Sequence, residues 1–555
     1  MGKGSRPEPP IQEALGFGGG LRILQRSMAS ALSPVSAPSL PVGPSLEAVP
    51  TPQREPGRGW LLGLLLLAAL VPRLVVFPVN ENFYGDAVVR TELAERWLRA
   101  PHLIESFKDG AMQFGPLHFY LVGAALSVLN REDAGRAISL LFGVLTVLPL
   151  FALTRRLFGW KAGVWACLGF SVWGMHLQFS TTAGSEAVSL FFMLWVFALF
   201  AQALEEGRFG PLFGAAVVLN LACAMRYDAW MYIPLLAVMP LLWRPDRISG
   251  ITMAVAFGLL CLPFPLAWMQ GNELAHGNPL FPIHYIDEFH QRWSESEAGG
   301  ARQWVFRARA LVFWPAIALF TLTPGVALFG AAGMVKVWKE RPGLRWLVLA
   351  ALVPTAYYTF RAAVLLNFVP LGRFAALQVV LLLPFVLPGF WACVGRRGQG
   401  VRQAVAGLSM ALAVGMPVAL GLYTFRAEGG PRDGLRPVSP TSTNPQAVRQ
   451  VARFIKDEVA AQGGALALDT DEGYLDLQIA FFSGLPEMRM ARLRWDTFRQ
   501  RLADAQPGYL VRFEGGGLVK EPGVKLEGRT LTLDGVAYEE LEGFTPPVHL
   551  YRRRP

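Results

Sequence analysis

NENFYGDAVVRTELAERWLRAPHLIESFKDGAMQFGPLHFY, residues Asn80 to Tyr120, follows the first long apolar run of the chain and carries a dense set of charges. Beyond Asp86, the apolar Val88, Leu93, Trp97 and Leu98 alternate with Arg90, Glu92, Glu95, Arg96 and Arg99 at helical spacing. That is the pattern of an amphipathic helix lying in a membrane interface. The apolar run before it delivers the helix to one membrane face, and Gly115-Pro116 then turns the chain back toward the bilayer. A carboxylate held at headgroup level in this setting suits a base acting on a lipid-borne substrate, which makes Asp86 the first candidate for chemistry.

Of the 555 residues, 53% are hydrophobic and only 17% charged, which assigns most of the chain to lipid. The formal net charge of +10 does not point to nucleic acid. The basic residues cluster in short loops between apolar runs, where they set membrane orientation. Cys167, Cys223, Cys261 and Cys393 lie in apolar segments without paired spacing, so neither disulfides nor a zinc site is expected.

Residues 1–58 are rich in Pro, Ser and Gly and read as a disordered cytoplasmic tail, with Met28 an alternative start and no signal peptide. Apolar runs then fall near 60–79, 137–154, 162–178, 187–203, 211–225, 229–243, 248–269, 310–335, 346–360, 374–394 and 403–423. The candidate at 116–129 holds ~14 residues, too few for a comfortable span. Charge decides its status. If it does not cross, the loops with Arg155, Arg156 and Lys161, with Arg244 and Arg247, with Lys336, Lys339, Arg341 and Arg345, and with Arg396, Arg397 and Arg402 share the side of Arg54 and Arg58. The positive-inside rule then holds throughout. The expected fold is therefore an α-helical polytopic membrane module over 59–424 with about eleven transmembrane helices, amino end inside and outer loops at 80–134 and 270–308. A linker at 425–440 leads to a small extracytoplasmic α/β domain over 441–555. Its elements are a helical stripe of Val448, Val451, Phe454, Ile455 and Val459, strands at 465–468 and 508–513, helices at 474–482 and 495–505, and a hairpin turning at Asp534-Gly535.

Several segments together resemble a known family. They are GDAVVRTELAERWL (85–98), FGPLHFYLVGAALSVL (114–129), the long run from Gly135 through Thr181, Thr182 and Glu186 to Trp195, HGNPLFP (276–282) and GRFAALQVVLLLP (372–384). Their order and spacing resemble the GT-C membrane glycosyltransferases, and within them the protein O-mannosyltransferases and lipid A aminoarabinose transferases (glycosyltransferase families 39 and 83), over roughly residues 60 to 395. The resemblance implies an enzyme of the inner (plasma) membrane that moves a sugar from a polyprenyl-phosphate donor to a lipid, glycan or protein acceptor at the outer face. It implies Asp86 as the base that deprotonates or orders the acceptor, although the family often has Asp-Glu where Ala87 follows here. Glu186 sits where relatives often have an Asp at the outer start of a helix, implying a role in acceptor or metal binding. An acid there equally suits the helix dipole.

Arg226 and Arg373, at outer ends of apolar runs, suit the phosphate that leaves with the lipid, because a guanidinium fork matches phosphate oxygens. Arg226 also has Asp228 as a near neighbour, and both can snorkel to headgroups. The loop at 270–308 is long for a connector and fits a cover over the acceptor, with His284 and Tyr285 as contacts. His284, Asp287 and His290 match no tight metal template, so no metal site is assigned. No cofactor is certain, and a divalent cation stays open. Asp469, Asp471 and Glu472 read as a solvated turn. Two rival functions remain. A transporter or flippase of lipid-linked sugars would put its charges at mid-membrane in broken helices. A non-catalytic scaffold presenting the carboxy-terminal domain would have no need of the Asp86 stretch.

Overall fold

The computed structural model describes residues 58–78, 85–243, 246–300, 302–427, 445–470, 475–544 and 546–555. The expected tail up to Gly57, the linker beyond Ala427, and Asp471 and Glu472 lie outside the described residues. In lipid the backbone satisfies its polar groups only within helices or closed barrels, and the apolar runs are helices. Among the described residues, eight are long and apolar enough to cross a bilayer: Gly59–Val76, Ala134–Phe158, Glu186–Glu206, Arg247–His276, Arg302–Thr321, Pro342–Leu365, Gly372–Val394 and Gln399–Ala419. The shorter Trp160–Ser171, Phe209–Met225, Tyr232–Trp243 and Pro324–Glu340 complete the bundle. Its core is aromatic: Phe200 meets Phe257 at 5.2 Å and Trp346 at 5.4 Å between ring centroids. Where backbones touch, only glycine fits. A Cβ on Gly389 would lie 1.8 Å from the Phe329 carbonyl oxygen. Such contacts hold helices together where lipid offers no hydrophobic drive.

The bundle has two chemically distinct ends. At one, Arg156 pairs with Glu205 and Glu206, each at 2.9 Å, and Arg345 donates to the Trp338 carbonyl at 2.8 Å. The other end carries Asp86, Glu186, Arg226, Arg361 and Arg373. The run at 310–335, expected as one span, is broken at Thr323, whose φ of 68° ends Arg302–Thr321 and starts Pro324–Glu340. Pro324 has no N–H to continue the helical ladder. The chain still passes once, because Arg307 donates to the Ala363 carbonyl (2.6 Å) at the Arg361 end, whereas Arg341 donates to the Leu157 carbonyl (3.1 Å) at the Arg156 end.

Gly85–Arg99 is a helix, as its amphipathic pattern predicts, and its Val89, Leu93 and Ala94 pack with Phe114, Phe119 and Val122. The segment after Gly115-Pro116 is a helix of only 10 residues, Leu117–Leu126. At 1.5 Å per residue it spans about 15 Å, half a hydrocarbon core. Both of its ends touch elements at the Asp86 end of the bundle. A Cβ on Gly115 would meet the Ala224 carbonyl oxygen at 2.2 Å, and one on Gly123 the Trp97 ring at 2.6 Å.

The carboxy-terminal domain holds one seven-stranded sheet of β1 (Leu466–Leu468), β2 (Met490–Arg492), β3 (Tyr509–Phe513), β4 (Val524–Glu527), β5 (Thr530–Leu533), β6 (Val536–Glu540) and β7 (Val548–Arg553), in the order β2-β1-β3-β7-β6-β5-β4. The helices Leu475–Ser483 and Phe498–Ala505 are the crossovers that make β1 parallel to β2 and β3, while the other pairs are antiparallel. The β5–β6 hairpin turns at Asp534-Gly535, with φ of 51° and 82°, the left-handed pair a two-residue turn requires. Asp469 corrects an expectation. It is buried and accepts from the N–H groups of Thr470, Phe513 and Leu518 at 2.7, 3.0 and 2.7 Å, tying β1 to β3.

Candidate active site

Each of the four polar residues singled out at helix ends reaches the same place. Asp86 lies in the first turn of the interfacial helix Gly85–Arg99, and its carboxylate pairs with Arg373, the second residue of Gly372–Val394. Arg226 caps the end of Phe209–Met225 with extended backbone, φ −152° and ψ 141°. Its Nη1 donates to Glu186 at 3.0 Å and to Ser185 Oγ at 3.3 Å, and its Nε to both Asp228 oxygens at 3.1 Å. Glu186 opens its helix and is only 3% exposed, so its carboxylate is held in a buried ion pair with Arg226. Phe374 lies beneath both guanidiniums, 6.0 Å from that of Arg226 and 5.4 Å from that of Arg373. Glu186, Arg226, Asp228, Tyr232, Tyr358, Arg373, Phe374 and Gln378 line one open cavity of about 410 Å³ including its mouth. A third cation, Arg90, is buried over the Phe114 ring at 4.0 Å.

The loop at 270–308 contains the helix Phe281–Ala298. The positions it turns toward the bundle are Asp287, His290, Ser294 and Ala298, spaced as one helical face. Asp287 accepts from Arg361 Nη1 at 2.9 Å, His290 stacks on Phe368 at 4.5 Å and lies 5.6 Å from Phe374, and Ser294 Oγ donates to the Leu366 carbonyl at 2.6 Å. Burial, then the charges of Arg373 and Arg361, pull the His290 pKa down to about 3, so the ring is neutral at physiological pH. His284 and Tyr285, expected as acceptor contacts, are not brought to the cavity. His284 Nδ1 accepts from Asn278 at 2.9 Å and Tyr285 meets Phe107 at 5.2 Å, because both lie off the inward face. Among the described residues no group of three His, Cys, Asp or Glu comes together, and Asp287 and His290 are committed to Arg361 and Phe368. The sequence reading missed Arg361, Tyr358 and Phe374. A signal for Arg361 existed, since a lone arginine in the apolar TAYYTFRAAVLL marks a polar site.

A multi-pass bundle with polar residues gathered at one end, a long covering loop and a sheet-bearing carboxy-terminal domain define a class: the chain has the fold of the GT-C membrane glycosyltransferases. Residues 113–268 match the model of the dolichyl-phosphate-mannose-protein mannosyltransferase family. That match includes Glu186 and Arg226 and leaves Asp86 and Arg373 outside it. Among solved structures, the chain is similar to ArnT from Cupriavidus metallidurans bound to undecaprenyl phosphate, with a TM-score of 0.58 and 14% identity over 89% of this chain and 98% of that one. The apo state of that ArnT gives a TM-score of 0.54 at 14% identity over 89% and 97% of the two chains. The apo oligosaccharyltransferase of Archaeoglobus fulgidus gives 0.53 at 13% identity over 82% of this chain and 70% of that one. A search of curated proteins finds no match. The resemblance read from the sequence is borne out by these likenesses.

Proposed function

We propose that this protein transfers a sugar from a polyprenyl-phosphate donor to a lipid, glycan or protein acceptor, at the membrane end that carries Asp86, which is the outer face of the plasma membrane. The observation that carries the reading is that Glu186, Arg226 and Arg373, from three separate segments, line one cavity at that end and that Arg373 pairs with Asp86 of a fourth. A carboxylate can take the proton of an attacking hydroxyl, and guanidiniums can hold the charge of a leaving phosphate.

The donor phosphate takes hydrogen bonds from Arg373 and Arg226, and in doing so competes with Asp86 for the Arg373 guanidinium. The released Asp86 carboxylate accepts the proton of the acceptor hydroxyl as that oxygen bonds to the anomeric carbon. The bond from that carbon to the phosphate oxygen breaks, and the lipid phosphate leaves with the electron pair, its charge held by the two arginines. Glu186 and Asp228 act through Arg226, which they hold by 3.0 and 3.1 Å contacts. In this reading the two arginines carry the phosphate charge. The polar cluster sits at helix ends, which disfavours a transporter with its charges at mid-membrane.

Isolated membranes containing the protein, given radiolabelled sugars on defined polyprenyl phosphates with mannose first in view of the matched family model, should transfer label to endogenous acceptor. Flipping of the labelled lipid without transfer would overturn the proposal.

A further inference from the structure

The interfacial helix Gly85–Arg99 is where the membrane bundle and the carboxy-terminal domain meet. Val88, two residues beyond Asp86, is fully buried in the core of that domain with Val448, Val451 and Phe481. The adjacent side, through Val89 and Leu93, packs on the re-entrant segment. The helix is therefore a layer between two bodies. Its polar residues are held in the same way. Glu95 accepts from Arg131 Nη2 at 3.0 Å, and Arg131 Nη1 donates to the Phe481 carbonyl at 2.9 Å with its guanidinium 4.3 Å from the Phe481 ring. Arg96 pairs with Glu487, and Glu132 with Arg449 at 2.9 Å. Glu92 faces Arg492 of β2 at 3.8 Å, and Arg492 is itself buried, with the Trp495 ring 4.9 Å away.

We propose that the carboxy-terminal domain is a positioning element for Asp86, which clamps the interfacial helix through Val88, through Phe481 on the Glu95-bound Arg131, and through Arg492, and so sets where the carboxylate stands beside Arg373. The proposal rests on the reading of Asp86 as the base. A helix of 15 residues at the membrane interface and packed on one side only is free to rock about that side. The domain closes the adjacent side and pins three consecutive turns. Arg226 and Arg373 stand on membrane helices, so loosening the clamp moves the base and leaves the phosphate contacts where they are. Displacing a reacting group by about 1 Å costs on the order of 10²-fold in rate.

The test uses the full-length protein. Arg492→Ala and Val88→Ala should lower turnover per folded molecule by about 10- to 100-fold, with affinity for the bare polyprenyl phosphate within about twofold of wild type, and Arg492→Lys should recover most of the loss. Amide hydrogen exchange over 87–98 should speed up in the Ala variants while exchange over 372–380 stays constant. Wild-type turnover in both Ala variants, unchanged exchange over 87–98, or equal losses of turnover and donor affinity would each overturn the clamp. If Arg492→Ala does not fold, Val88→Ala carries the same comparison. An inactive wild-type protein would sink the transferase reading instead, and the exchange measurement would still decide whether the domain restrains the helix.

Discussion

Asp86→Asn separates two consequences of the Asp86–Arg373 pair. The substitution keeps the shape of the side chain and removes its charge, so under the proposed mechanism the acceptor loses its base. A positioned base contributes about 10²–10⁴-fold, and turnover should fall by that order. Donor binding should move the other way. In the proposed mechanism an incoming phosphate displaces the Asp86 side chain from Arg373, and Asn competes far less. The size of that gain follows from exposure. The Arg373 and Asp86 side chains are 20% and 31% exposed, so the pair is partly screened and worth about 1 kcal/mol at most. Affinity for polyprenyl phosphate should thus tighten by no more than about fivefold. Titration calorimetry of the purified protein with polyprenyl phosphate, together with single-turnover transfer of a radiolabelled sugar, reads both quantities. Near wild-type turnover would refute the base assignment, and a several-fold weaker affinity would refute the competition for Arg373.

Arg373→Ala should weaken donor affinity by about 10- to 100-fold, the loss of charged hydrogen bonds to phosphate, as measured by the same calorimetry. His290 gives a pH dependence whose sign follows from its lowered pKa. Between the ordinary value of 6.5 and its folded value of about 3 the unfolded chain binds the extra proton, so stability falls as pH drops through that window. His290→Phe keeps the stacking on Phe368 and should lose less thermal stability between about pH 7 and about pH 4 than wild type. In a Cys393→Ser background, single cysteines at Leu103 and Met488, 71% and 74% exposed, should react with an impermeant thiol reagent in intact cells, while one at Val401, 50% exposed at the opposite end, should not. Labelling of all three, or of Val401 alone, would refute the assigned orientation.

Much of the membrane module was legible because lipid imposes a simple rule: apolar length makes a helix and basic loops mark one face. Asp86 and Arg373, 287 residues apart, were singled out because both sit where charge interrupts an apolar pattern, and the structure pairs them. The break at Thr323 was hidden inside an uninterrupted apolar run, where only Thr-Pro marked it. His284 and Tyr285 stand off the cavity for a geometric reason: residue type singled them out, whereas the rotation of Phe281–Ala298 turns Asp287 and His290 toward the bundle. In the carboxy-terminal domain the β5–β6 hairpin was readable from Asp534-Gly535, a local signal. β2 is three residues long, and its parallel register with β1 depends on contacts across an intervening helix. Local pattern carries no such information.

The burial of Val88 within the carboxy-terminal core also orders events during synthesis. The ribosome releases the Asp86 helix early, yet the partners that surround Val88, from Ala447 to Leu550, are translated last. Domains generally fold as units in order of emergence. The nascent chain therefore inserts its helices and assembles Arg226, Glu186 and Arg373 before the interfacial helix gains its second wall. Premature termination anywhere before that domain leaves a membrane protein whose cavity is lined but whose first amphipathic helix is covered on one side only, a surface that quality-control proteases can recognise as unfinished.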